Sequence, residues 1–195
     1  MTKRQEELFD KLLDMGMVPI FDEVNTTMLE RVQQCFMNFF LKRVQNITVL
    51  ISSNGGNLTS ALEIVDMLKI YPGVKTGIVI GRAKSSAAII LQACDKRLAT
   101  PHSQILIHNG TAKFEIDCLY DDKKLATFLK KGRESEKKIL KILTDRTKKS
   151  EQEIIDMNMK DESMSAEEAL GFGLIDEIFT GQLPFDLPKE LTNVS

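Results

Sequence analysis

Short runs of aliphatic and β-branched residues alternate with stretches of helical period along most of this chain, and polar turns separate them. That alternation constrains the fold more than any other feature. Strand, helix, strand returns the chain to the same sheet in the same direction, so it predicts an α/β fold with a largely parallel sheet. The predicted strands are Met17 to Phe21, Asn46 to Ser52, Val74 to Ile80, Leu98 to Thr100, Gln104 to Ile107 and Leu174 to Ile178. The predicted helices are Arg4 to Met15, Asn25 to Lys42 with an Asn25-Thr26-Thr27 cap, Leu58 to Ile70 and a small apolar one from Ser85 to Ala93. A long charged helix follows from Asp121 to Lys149, with Leu125, Phe128, Leu129, Ile139, Ile142 and Leu143 on its apolar stripe. Two short helices are expected from Glu151 to Met157 and from Ala166 to Gly171. No repeat, low-complexity block or flexible linker interrupts the series, and 195 residues fit one domain with a substantial core. We expect a single domain over residues 1–180 and a C-terminal tail over 181–195, where two prolines and weak periodicity end the pattern.

The bulk properties narrow the function by exclusion. A formal net charge of -2 offers no global attraction to nucleic acid or to an anionic membrane. No apolar run approaches the about 20 residues of a membrane span. The charged start, Met1 to Glu7, has no apolar core behind it, which argues against a signal peptide. The three cysteines, Cys35, Cys94 and Cys118, have no metal-like spacing, and their odd number argues against a disulfide framework. The expected location is the reducing cytoplasm. From Asp121 to Ser150 there are 11 Lys or Arg against 5 Asp or Glu. The acids are interspersed and no aromatic ladder accompanies them, so a solvated face or one packed on another subunit is expected, not a nucleic-acid contact.

Two loops follow a strand and open a helix, the position at which backbone amides can meet a ligand. Ser52-Ser53-Asn54-Gly55-Gly56-Asn57 is either an ordinary Asn-Gly-Gly turn or a place where glycines let a ligand approach and amides face an oxyanion. Gly81-Arg82-Ala83-Lys84-Ser85-Ser86-Ala87-Ala88 has the logic of a nucleophile elbow, a serine at a strand-to-helix turn followed by small residues. It lacks the Gly-x-Ser-x-Gly pattern, and Ser85 or Ser86 could equally cap a buried helix. Only two histidines exist, so a His-dependent enzyme must use His102 or His108. His102 sits in a turn beside Pro101, whereas His108 ends an apolar strand, where it either points into a cleft or is a satisfied core residue. A serine, a histidine and an acid make an acyl-transfer set only if geometry unites them.

Four stretches in order resemble the proteolytic subunit of the Clp protease family. They are Ser53-Asn54-Gly55-Gly56, then Gly81 to Ala87, then Arg97 to His108 with Pro101, Ser103, Ile105 and Ile107, and last Asp161 to Ala169 with Gly173-Leu-Ile-Asp176. The resemblance covers about residues 17 to 180. It implies a crotonase-like fold of repeated β-β-α type units with the long helix as a protruding handle. It implies a serine endopeptidase in which Ser85 attacks, His108 is the base, Asp161 orients the imidazole, and the amides of Gly55 and Ser86 form the oxyanion hole. It implies peptide or unfolded-protein substrates aligned as an added strand, a homo-oligomeric ring, heptameric or tetradecameric, enclosing the sites, and no cofactor or metal in this subunit.

The chain departs from the family pattern in places. Asn54 stands for a proline, Ser86 for a methionine, Lys84 for a small residue and Ser163 for an aromatic. The segment between His108 and the handle lacks the family's proline and extra glycines, and Met1 to Gly16 is short against the family's axial region. The resemblance therefore gives little support for docking of an ATP-dependent unfoldase. Three rival readings remain: a catalytically inactive ring subunit, a crotonase-fold enzyme acting on acyl-CoA, and a Ser-Lys dyad through Lys84. No adenine-nucleotide signature supports the second. Adjacent side chains point apart, and no membrane anchor accompanies the third.

Overall fold

A computed structural model of the chain describes residues 3–110 and 120–181. The expected tail and the segment that would lie along a substrate, with Cys118, fall largely or wholly outside those residues. The element order is α1 (Lys3–Asp14), β1 (Met17–Val24), α2 (Thr26–Lys42), β2 (Ile47–Gly56), α3 (Leu58–Ile70), β3 (Lys75–Lys84), α4 (Ser86–Leu91), β4 (Lys96–Ala99), β5 (Gln104–Leu106), α5 (Asp122–Thr147), α6 (Glu151–Lys160), α7 (Ala166–Phe172) and β6 (Glu177–Ile178).

The sheet runs β1-β2-β3-β4-β6, every pair parallel, with β5 joining β3 beyond the end of β4. Helices α2, α3 and α4 make the crossovers that parallel neighbours require. Strand alternation sorts side chains to two faces. Val18, Ile20, Val49, Ile51 and Val79 join the larger core with Val32, Phe36 and Phe39 of α2 and Ile64, Val65 and Leu68 of α3. Met17, Leu50 and Ile78 face the other way and meet Leu12, Met15, Leu98 and Phe179. Because both faces are covered, the strands read as near-continuous apolar runs. Phe36, Phe39, Phe40 and Tyr71 form a ring cluster where α2 meets the end of α3.

The helices obey their capping residues. Asn25 accepts from Met28 N at 3.0 Å and Asn57 from Ser60 N at 2.9 Å, so both asparagines start helices as their residue type favours. Ser150 with Glu153, and Ser165 with Glu168, make full capping boxes. The differences from sequence expectation lie at strand ends. β2 continues through Ser53 to Gly56, and β3 passes Gly81 to reach Lys84. Local turn chemistry is overridden there by pairing: Val24 is opposite Gly56, and Arg82 to Lys84 are opposite Gln104 to Leu106. Register shifts between Phe21 and Glu23 and between Ile51 and Ser53 absorb the extra residues. The last strand is only Glu177–Ile178, because Leu174 and Ile175 are buried before the chain joins the sheet edge.

Candidate active site

Two strands end side by side at the site. β3 stops at Lys84, and Ser85 takes φ 54° and ψ -126° before α4 begins. A serine with positive φ holds about 1–3 kcal/mol of backbone strain, which persists only where neighbours enforce it. Here the Ser85 N–H donates to Leu106 O at 2.8 Å, fixing the turn to β5. Ser85 makes no side-chain cap to the helix that it starts. Its role is therefore not that of a capping serine, and its hydroxyl is half-exposed at a sharp strand-to-helix turn. Ser103, 2% exposed, supports the same strand: its hydroxyl donates to Val79 O at 3.0 Å and accepts from Gly81 N at 3.2 Å.

β2 brings Gly55 against this turn. A Cβ at Gly55 would lie 2.5 Å from Lys84 O and 2.9 Å from both Ser85 Cβ and Ser86 N, so only glycine fits. Its φ of 86° is a second reason. The N–H of Gly55 donates to Ser53 Oγ at 3.0 Å. The amide assigned to an oxyanion by resemblance is thus taken up within the loop. Asn57 N donates to Val24 O at 2.6 Å, so the amide just before it, that of Gly56, faces away from β1. Ser86 is 4% exposed and its hydroxyl has no hydrogen-bond partner.

His108 lies two residues beyond β5 and is half-buried. Its Nδ1 is 2.9 Å from Asp161 Oδ1. Asp161 ends α6 in the left-handed region at φ 50°. The short segment from Asp161 to Ser165 is strung between the capped helices α6 and α7. An antiparallel bridge pins it to β5: Ile105 N donates to Met164 O at 2.9 Å and Met164 N to Ile105 O at 2.8 Å. One strand, β5, therefore holds the serine turn on one edge and the acid loop on the other, with the histidine just past its end. No hydrogen bond joins Ser85 Oγ to His108 among the described residues. The Asp161 side chain is 67% exposed, and beside it a cavity of about 300 Å³ is lined by Met157, Lys160, Glu162, Ser163, Met164 and Phe172. His102 is exposed in its turn.

Other candidate chemistry is weaker. Burial pushes the thiols of Cys35 and Cys94 up to about 12, so neither is a thiolate nucleophile near neutral pH. Among the described residues no His, Cys, Asp and Glu cluster could hold a metal. Arg97, 4% exposed, ties the sheet edge to the last turn: it donates to Gln92 Oε1 at 2.6 Å, to Gly173 O at 2.8 Å and from two nitrogens to the Asp176 carboxylate. Partial burial alone would raise the Asp176 carboxyl, but the hydrogen bonds from Arg97 outweigh it and hold the group below the usual carboxylate range.

The parallel α/β sheet thus carries a strained serine at a strand-to-helix turn, and the strand that fixes that turn leads to a His–Asp contact. The family model described as Clp protease matches residues 1–182, and the chain belongs to that family. Membership makes it a peptidase of the Clp type in the general sense, from a family of serine hydrolases that form oligomeric rings and act on peptides. Among the described residues no helix is long and apolar enough to cross a membrane. The residues that sequence reasoning left without a role are Ser53 and Ser103, whose hydroxyls brace the two strand ends. Their only sequence signal was a small polar side chain beside apolar strand residues.

Proposed function

We propose that this chain is a serine endopeptidase working through Ser85, His108 and Asp161 inside an assembled ring. The observation that carries this is the 2.9 Å contact of His108 Nδ1 with Asp161 Oδ1. In the proposed working site Nδ1–H is donated to the carboxylate, which leaves Nε2 as the free lone pair, the tautomer a general base needs. In the reaction Ser85 Oγ attacks the scissile carbonyl carbon while its proton passes to His108 Nε2. The C–N bond of the tetrahedral intermediate then breaks, and the leaving amine takes that proton. Water, deprotonated by the same nitrogen, next attacks the acyl ester, and Ser85 recovers its proton as the acid leaves. The oxyanion is met by the amide of Ser86 and, since Gly55 N–H serves Ser53, by that of Gly56 in place of Gly55. Aligned amides at such a point contribute about 3–4 kcal/mol each to the transition state.

The assay is hydrolysis of short fluorogenic peptides by the assembled protein. Ser85→Ala and His108→Ala are expected to lower kcat by about 10⁴-fold or more, with folding unchanged, and Asp161→Ala by less because it orients rather than reacts. Peptide hydrolysis retained in Ser85→Ala would remove the assignment. A second reading, an inactive ring subunit, draws on the lack of a hydrogen bond between Ser85 Oγ and His108 among the described residues and on the exposed Asp161. It predicts an assembled wild type with no turnover above the Ser85→Ala control.

A further inference from the structure

Ser53 is buried at 1% exposure in the middle of a strand, where an aliphatic side chain would be the ordinary choice. Its hydroxyl donates to the carbonyl of Asp22 and accepts the N–H of Gly55 at 3.0 Å. Asp22, at φ 68°, is the residue skipped in the pairing of β1, and Ser53 is the first residue after the matching slip in β2. One side chain thus ties two irregular strand segments together where β2 approaches the nucleophile turn. Gly55 in turn lies against Lys84, Ser85 and Ser86 closely enough to exclude a methyl group.

We propose that Ser53 is a positioning residue that sets the orientation of the Gly55 and Gly56 peptides on the oxyanion side of the site. The inference rests on the peptidase reading above and deepens it. With the hydroxyl present, Gly55 N–H is satisfied by Ser53 and turned from the serine, while the next peptide presents its amide away from β1. Without it, the buried Gly55 N–H loses its acceptor, and such a donor rotates toward whatever oxygen is near. Lys84 O, just before the nucleophile, is one backbone oxygen packed against Gly55, 2.5 Å from where a Cβ would stand. A peptide that rotates so withdraws the Gly56 amide from the oxyanion. The loss then falls on the transition state and leaves peptide binding in place.

The test uses the full-length assembled protein and short fluorogenic peptides, with Ser53→Ala, Ser53→Thr and Ser53→Cys. Wild type is first labelled at Ser85 with a fluorophosphonate and assayed for turnover; a silent wild type sinks the peptidase reading and this consequence with it. In an active wild type, Ser53→Ala is expected to lower kcat about 10- to 100-fold with KM within about two-fold, since displacements of about 1 Å cost this much. Affinity for a peptide boronate, which mimics the tetrahedral state, should fall by a similar factor, and Ser53→Thr, which keeps the hydroxyl, should restore most of both. If Ser53→Ala does not fold, Ser53→Cys, of similar shape but a weak acceptor, is read by the same criteria. An active wild type whose folded Ser53→Ala or Ser53→Cys keeps its kcat, or loses activity through KM alone, overturns the proposal.

Discussion

Ser85 adopts a backbone conformation that serines avoid, and Gly55 is the residue that makes room for it. Gly55→Ala tests that packing directly. The added methyl would sit 2.5 Å from Lys84 O, on backbone that cannot yield cheaply, and at a positive φ. We expect a loss of about 2–3 kcal/mol in thermal or urea unfolding, and turnover reduced far more than stability. A variant with wild-type melting and turnover would mean that the two strand ends do not pack as described. At this scale motif order singled out Ser85, His108 and Asp161 as candidates, and the structure brings the last two to 2.9 Å of one another. The partner of Gly55 N–H was not legible. Ser53 is only two residues away, but its hydroxyl is also held by the carbonyl of Asp22, 31 positions earlier, where the register slips in β1 and β2 fall. An Asn-Gly-Gly segment gives no sign of which of its amides faces inward.

At the scale of elements, the alternation of apolar runs and amphipathic stretches gave the helices and the strand cores within a few residues, because burial on one or both faces imposes its period on the sequence. Strand ends were misjudged because Gly55, Gly56 and Gly81 look like breaks in one dimension, whereas Gly55 and Gly56 are paired with β1 and β3 runs on through Gly81 to pair again at Arg82. The link from β5 to the acid loop is a single bridge from Ile105 to Met164, which no local pattern announces. The edge of the sheet depends instead on Arg97 and Asp176. Asp176→Ala leaves the Arg97 guanidinium without its carboxylate. We expect a loss of about 2 kcal/mol at neutral pH, less than for a fully buried pair because the carboxylate side chain is 43% exposed. The folded carboxyl titrates below its usual range, so its contribution is complete above the unfolded value of about 3.9 and is lost as pH falls through the lower folded value. Melting curves of wild type and Asp176→Ala should therefore converge as pH falls below the unfolded value and on through the lower folded one. A constant gap across that range would show that the carboxylate charge is not what holds this edge.

The whole molecule shows more apolar surface than one subunit needs. Leu41 is 82% exposed, Ile70 73% and Met37 66%, and on the long helix α5 Leu129 is 48% exposed. Ring formation, general in this family, buries surface between copies, and these side chains are candidates for that contact. Light scattering should give a mass several times the 22.0 kDa of one chain, and a stable, active monomer would refute assembly as a condition of function. The helix α5 was legible from its length and apolar stripe, but what covers that stripe is not written in one chain's periodicity. The most direct test of the peptidase account is fluorophosphonate labelling of the assembled protein, read by mass spectrometry beside Ser85→Ala and His108→Ala. The account predicts a single adduct on Ser85 that disappears in Ser85→Ala and falls sharply in His108→Ala. An assembled wild type that takes up no label, or labels elsewhere, would contradict it.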